Sequence, residues 1–439
     1  MANFKLKKGF NLSLKGAVAD KEITRAVAQR CGVVPDDFSG IIPRLDVKED
    51  DNVSAGDALF HDKNHLEIKI TSPVSGTIDK IVRGERRKIQ SVEIIPDGTI
   101  TKRKIATDDV KQAMLESGLW AFMRQRPYDI VPEPEIEPRD IFVTAFDSSP
   151  LAESFGLLLD DKKEYLQQGI DALATLTSGK VYVGFKPGEE ISLKHCEVNT
   201  FEGPHPAGNA GVQVANVKPV NKGEVVWTLD AVTVARIGEL MATGELPVDT
   251  IVAVTGENVV KPKLVKCTMC CDIASLIAGN ITDEENSRII SGNVLTGAKV
   301  EATGFLRYPY RQITVIPEVK DTAEFMGWAS LSAKKFSLYR SFTSRLLGVK
   351  KPFSFDAKLN GGERAIIMSG EYDRMLPMDI YAEFLIKAII AFDIDKMEQL
   401  GIYEVAPEDF ALCEFADTSK LELQRIVREG LERLRKEMN

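Results

Sequence analysis

With 439 residues the chain has room for about three domains, each able to bury its own core, which excludes a disulfide-stapled mini-protein. Hydrophobic residues make up 44% and charged residues 28%, which excludes wholesale disorder and a polytopic membrane protein. Lys plus Arg number 56 against 65 Asp plus Glu, a formal net charge of −9 that repels phosphate backbones, so no nucleic acid partner is expected.

The amino terminus, Met1 to Lys8, carries lysines with no apolar run behind them and does not read as a secretory signal. Six scattered cysteines without framework spacing point to reduced thiols in a cytoplasmic compartment and no disulfides. From Ile41 to Pro96 short alternating runs such as Leu66 to Ile70 and Thr77 to Val82, stopped by Gly and Pro, predict a small all-β unit. Thr71 to Ile78 resembles the far strand of biotinyl/lipoyl-type barrel-sandwich domains. Lys63 on the preceding hairpin stands about two residues too far from the Pro-x-x-Gly turn to be a lipoylated lysine, so that hairpin reads as a solvated loop.

Residues 121–139, with Arg124, Arg126, Pro127, Pro132, Pro134 and Pro138, read as an extended linker and a domain boundary. Beyond it, buried-type runs at Ile141 to Ala145, Val181 to Phe185 and Val225 to Leu229 alternate with helical patterns at Tyr165 to Leu176 and Val234 to Met241. That order predicts βαβ units and a mostly parallel sheet. Between Ile251 and Val319 alternation returns, with one helical stretch from Asp272 to Ala278, giving a compact β-rich module. The remainder is helical: Met378 to Phe392, Asp395 to Leu400, Pro407 to Phe415 and Lys420 to Met438. In the last of these, Leu423, Ile426, Val427, Leu431 and Leu434 form one stripe while Arg425, Glu429 and Arg433 share the other face. The longest apolar stretch, Ile380 to Phe392, is about 13 residues and contains Glu383 and Lys387, whereas a membrane span needs about 20. Membrane association is therefore expected to be peripheral.

No Gly-x-Gly-x-x-Gly, Walker loop, His-Glu-x-x-His or Gly-x-Ser-x-Gly occurs, and only His61, His65, His195 and His205 offer imidazoles. Cys267-Thr268-Met269-Cys270-Cys271 has one Cys-x-x-Cys and no second pair, so it reads as buried cysteines at a strand end; no metal site is expected. The most unusual string is Gly203-Pro204-His205-Pro206-Ala207-Gly208. Its glycines and prolines fix the backbone around one titratable group, as a ligand-approaching loop or a rigid tight connection would need. A second string, Gly327 to Leu346, interleaves Trp328, Phe336 and Phe342 with Lys335 and Arg340, which suits docking to a partner at a membrane surface, or else an ordinary amphipathic segment.

On these strings the chain resembles the A subunit of the sodium-translocating NADH:quinone reductase over nearly its whole length. The matching blocks are Phe4-Lys5-Leu6-Lys7-Lys8-Gly9, Gly203 to Gly208, Arg288 to Gly297, and Gly327, Trp328, Lys335, Phe336, Ser337, Arg340 and Phe342, followed by Glu363-Arg364-Ala365. The resemblance implies a peripheral subunit on the cytoplasmic face of the inner membrane, in a six-subunit complex that passes electrons from NADH to a quinone and pumps Na⁺ outward. Its partners would be membrane-embedded and flavin-carrying subunits. The architecture is also similar to the flavin subunit of respiratory complex I and to the C subunit of the related electron-transport complex.

The implied fold is α/β in a multidomain sense. It comprises a barrel-sandwich (lipoyl-like) unit at 1–105, a Rossmann-like domain at 106–250, a β-grasp/SLBB-like module at 251–320 and a helical bundle at 321–439. The chain departs from its relatives at Cys413, which stands alone, and at Asp417, where many sequences of that family carry another cysteine. The run Phe142 to Asp147 lacks the glycines of a flavin loop. No tightly bound cofactor is expected, with NADH, flavins and iron-sulfur centres in other subunits and quinone as substrate. The expected quinone site is His205 with Gly203, Pro204 and Gly208, and the expected docking residues are Trp328, Lys335, Phe336, Arg340 and Phe342. The alternative is a structural adaptor required for assembly; a free-standing soluble flavoenzyme is the third reading.

Overall fold

The computed structural model describes residues 2–99, 101–318, 336, 338 and 352–438. Of the expected docking residues only Phe336 is among them; Trp328, Lys335, Arg340 and Phe342 lie outside the described residues.

The three buried runs between 140 and 230 become adjacent parallel strands because all their faces are apolar: Val181–Phe185 is buried at every position, and Asp140–Thr144 and Val226–Asp230 at all but the last. They sit in a six-stranded sheet ordered Asn3–Lys5, Glu197–Glu202, Val181–Phe185, Asp140–Thr144, Val226–Asp230, Arg124–Arg126, parallel except for the last strand. The chain steps outward from Asp140–Thr144 on one side and then returns to its other side. The strand order therefore reverses there, the switch point beside which doubly wound sheets commonly bind ligands at their carboxyl ends. Helices Tyr165–Ala174 and Ala231–Thr243 pack tightly against one another. Glycine is required at their crossing, since a Cβ on Gly169 would stand 2.0 Å from the Val234 carbonyl oxygen.

The segment 121–139 is not a linker. Arg124–Arg126 pairs antiparallel with Val226–Thr228 at the sheet edge, and Trp120 and Arg126 are almost wholly buried. The prolines at 127, 132, 134 and 138 all fall outside the paired residues, so no ladder hydrogen bond is lost.

The barrel-sandwich is built from two small sheets. One orders Cys31–Val33, Ile89–Pro96, Gly76–Arg83 and Asn52–Val53; the other orders Pro43–Leu45, Ala58–Asp62 and Lys69–Thr71. Leu59, Phe60, Ile68, Ile70, Ile78, Val92 and Ile94 fill the space between them. Lys63 is exposed on the hairpin turn. The first thirty residues do not stay with this unit: Asn3–Lys5 joins the α/β sheet, and Ile23–Arg25 pairs parallel with Leu264–Lys266 in the third sheet.

That third sheet orders Ala298–Val300, Ser287–Ser291, Gln312–Pro317, Asp249–Thr255, Lys263–Thr268 and Ile23–Arg25. Its one described helix, Ile273–Ile277, starts where the Asp272 carboxylate accepts the Ser275 amide at 2.9 Å. Cys267 and Cys271 are buried at this strand end, and Cys271 pairs with Cys31 as a backbone bridge. Burial pushes the Cys270 thiol up to about 12 and raises Cys31 well above its usual range, so these sulfurs stay protonated and poor in nucleophilicity.

The carboxyl-terminal region is helical, with Ala382–Ala391, Ile394–Gln399, Ala411–Ala416 and Leu423–Met438 around a common core. Leu423, Val427, Leu431 and Leu434 are fully buried along one stripe, with Ile426 at its margin. Cys413 lies in that core. Asp417 caps the turn before the last helix, accepting the amides of Ser419 at 3.0 Å and Leu421 at 2.8 Å. Among the described residues no helix is long and apolar enough to cross a membrane.

Candidate functional site at the carboxyl end of the parallel sheet

Three chain segments converge where strand Glu197–Glu202 ends: the loop 203–209, the turn after Asp140–Thr144, and residues 6–11 following the first strand. Loop 203–209 then runs into helix Ala210–Val217. Its polar groups are taken up by the other two segments. Ser148 Oγ accepts the Gly208 amide at 2.8 Å and lies 3.1 Å from His205 Nδ1. Asn11 Oδ1 accepts the His205 amide at 2.8 Å, and the His205 carbonyl accepts the Phe10 amide at 2.8 Å. Thr144 Oγ1 donates to the Gly208 carbonyl at 3.0 Å and is itself held by Gln213 Nε2 at 3.1 Å.

The glycines expected to leave room for a ligand instead let the chain approach itself. A Cβ on Gly208 would stand 2.7 Å from the Ser148 amide nitrogen, and one on Gly203 would stand 2.6 Å from the Leu6 carbonyl oxygen. Pro204 packs beside Gly9. The structure therefore brings His205, Gly203, Pro204 and Gly208 together as one closed turn.

His205 is only 3% exposed. Burial pushes its pKa down to about 4, partly opposed by the Asp147 carboxylate, so the ring is neutral near pH 7. Since the Ser148 hydroxyl accepts the Gly208 amide, its own hydrogen is free for Nδ1, and that assignment puts the ring proton on Nε2. Nε2 is buried and has no hydrogen-bond partner among the described residues. It is a donor waiting for an acceptor, a costly state unless a ligand oxygen completes it.

Beside the loop lies a constellation that sequence reasoning missed. Arg126, 1% exposed, donates to Asp409 Oδ2 at 2.9 Å, to the Glu404 carbonyl at 2.9 Å and to Glu408 Oε1 at 3.2 Å, tying the edge strand to the helical region. Burial works against its charge, yet Asp409, Glu408 and Asp129 together raise its pKa. Gly211, in the first turn of Ala210–Val217, leaves the space this pair occupies, since a Cβ there would stand 2.4 Å from Asp409 Oδ2. Phe336 is half-buried against Phe10, Phe353, Phe355 and Phe415, with ring centroids 5.1–6.2 Å away, so its ring faces partners in its own chain.

Two open clefts of about 400 Å³ lie elsewhere. One is at the amino ends of strands Val181–Phe185 and Glu197–Glu202 beside Lys180 and His195; the other lies between Val220–Lys222 and the helical residues Asp379–Glu404. Neither is lined by His205.

Comparison with known proteins decides the family. Residues 4–97 match the NqrA N-terminal barrel-sandwich hybrid domain, 105–246 the NqrA second alpha/beta domain and 251–302 the NQRA C-terminal domain. The A subunit of the Na(+)-translocating NADH-quinone reductase of Saccharophagus degradans is 36% identical over 99% of both chains. The protein of that name from Neisseria meningitidis serogroup A is 34% identical over 99% of both. The chain belongs to the NqrA family. It is thus a subunit of a Na⁺-translocating NADH:quinone reductase, and other subunits of that complex are its partners. One chain of an NAD⁺-reducing NiFe-hydrogenase overlaps at a TM-score of 0.35 with 11% identity, covering 48% of this chain and 47% of that one, too slight to bear on function.

Proposed function

We propose that within the reductase this chain binds quinone at the closed turn 203–208, with His205 Nε2–H donating to a quinone carbonyl oxygen. The observation that carries the reading is the buried, neutral, unpartnered Nε2 at the carboxyl end of the parallel sheet, in a family whose name contains a quinone reductase. Gly203, Pro204 and Gly208 act by shaping the turn that aims the ring. Quinone reduction also takes up protons, and the neutral imidazole can give its Nε2 proton to the carbonyl oxygen while Nδ1 takes one from the Ser148 hydroxyl, which the half-buried Ser148 regains from solvent water. The lone buried Cys413 and the capping role of Asp417 favour a chain without a bound cluster, with NADH, flavin and iron-sulfur chemistry in flavin-carrying and membrane-embedded subunits. Docking from the cytoplasmic face of the inner membrane fits a chain with no described spanning helix.

Equilibrium binding of a short-chain ubiquinone analogue to the purified full chain tests the site. His205→Ala is expected to weaken it about tenfold, the worth of one hydrogen bond, while His205→Gln, which keeps an N–H donor, retains more. Unchanged affinity in a folded His205→Ala protein removes His205 from the site. Visible flavin absorbance in the pure chain would refute the cofactor reading.

A second reading, an assembly adaptor without a ligand, is favoured by the use of the His205, Ala207, Gly208 and Asn209 amides within the chain. Under it, deleting 327–346 abolishes co-purification with the other subunits and the full chain shows no quinone binding; retained assembly overturns it.

A further inference from the structure

We propose that His65, Glu67 and Glu135 form a surface site for a divalent transition-metal ion of the zinc class. One ligand atom from each residue lies within 4.8 Å of the other two. His65 Nδ1 and Glu135 Oε2 are 3.3 Å apart. That is about the edge of a tetrahedron whose metal–ligand bonds measure about 2.0–2.1 Å.

The three side chains come from two stretches that only the fold brings together. His65 and Glu67 stand on the turn between strands Ala58–Asp62 and Lys69–Thr71, and Glu135 stands on the segment following strand Arg124–Arg126. Both backbones are held in place before any ion arrives. The carboxylate of Asp62, 2% exposed, accepts the amides of Ile42 at 2.7 Å and His65 at 3.1 Å, and the His65 carbonyl accepts the Ile68 amide at 3.0 Å. On the other side Lys111 Nζ donates to the Pro134 carbonyl at 2.6 Å, and the Ile136 amide donates to the Glu133 carbonyl at 3.1 Å. Preorganised ligands bind without the ordering cost that a mobile loop would add.

The donor set selects the ion. Two carboxylates this close repel each other, and a shared cation removes that repulsion. An imidazole nitrogen argues against Na⁺, Mg²⁺ or Ca²⁺, which take all-oxygen shells, and the absence of a thiolate argues against a soft ion. Zinc accepts a nitrogen and two oxygens and completes its tetrahedron with water, for which the Glu135 side chain, 65% exposed, leaves access. A bound ion would tie the barrel-sandwich hairpin to the α/β domain.

Zinc titration of the chelator-treated full chain by calorimetry is expected to give one equivalent bound, with a melting temperature that rises with zinc concentration. Both effects are expected to weaken at least tenfold in His65→Ala and in Glu67→Gln, whose side chains lie outside the core. Cobalt replaces zinc to separate this site from the buried cysteines, and visible d–d bands without thiolate charge transfer support the proposal. A thiolate band, no stoichiometric uptake, or uptake unchanged in both variants overturns it.

Discussion

His205 and Arg126 flank the first turn of the same helix, Ala210–Val217, and are buried almost equally, 3% and 1% exposed, yet they meet the cost of burial in opposite ways. The imidazole gives up its charge, with its pKa pushed down to about 4, and keeps one nitrogen without a partner among the described residues. The guanidinium cannot lose its proton and instead draws Asp409, Glu408 and the Glu404 carbonyl around it. The difference separates two kinds of buried polar group. A charge that must persist draws opposite charges to itself and holds domains together even though the Arg126 Nε stays unpaired among the described residues, whereas a group that can become neutral needs no counter-charge.

Removing a partner should break this contrast most strongly on the charged side. Asp409→Ala strands the Arg126 charge and is expected to lower stability by about 3–5 kcal/mol in chemical denaturation. Replacing both partners with Arg126→Met and Asp409→Leu should cost much less, because the one carboxylate left without its cation, Glu408, has a side chain 45% exposed to water. A double variant as unstable as the single one would show that the pair's position, not its charge, matters.

The neutral side should reveal itself through pH. Because the folded-state pKa of His205 lies below the ordinary value of about 6.5, the unfolded chain takes up the proton first as pH falls. The stability associated with a neutral ring is complete above about pH 6.5 and is lost progressively toward pH 4, by up to about 3 kcal/mol. Glu404, whose carboxyl is pushed up to about 7 by burial and by Asp379, titrates in the same range with the opposite sign. Denaturation midpoints of wild type and His205→Gln should therefore be compared at each pH, with the stability of wild type relative to the variant falling as pH drops from about 6.5 toward 4. Parallel profiles would show that the ring is not buried neutral.

A smaller effect sharpens the assignment of the ring proton. Ser148→Ala leaves the Gly208 amide and His205 Nδ1 without their shared hydroxyl and is expected to cost about 1 kcal/mol. It should also change the tautomer, read as nitrogen chemical shifts of the His205 ring; unchanged shifts would mean that Ser148 does not set the proton.

What was legible in the sequence followed from local chemistry. Period-2 alternation in 41–96, apolar runs at 141–145 and 181–185, and the stripe in 420–438 reflect which faces must be buried, and the strands and helices lie where those patterns put them. The density of Gly and Pro around His205 marked a backbone held in one shape, and the turn there is closed. The thiols of Cys267 and Cys271 read as buried at a strand end, and they are.

Partnership was not legible, because pairing depends on which distant segment completes a surface. Three-residue strands such as Asn3–Lys5 and Ile23–Arg25 carry too little pattern to say which sheet they join, and the proline spacing of 121–139 concealed an edge strand whose paired residues contain no proline. Asn11 reaches His205 across 194 residues, and Arg126 reaches Asp409 across 283. Composition and periodicity determined which residues had to leave water. Only the tertiary structure decided which of them left with a partner, because a hydrogen bond or ion pair requires two groups at one point in space and the chain order of those groups carries no information about that point.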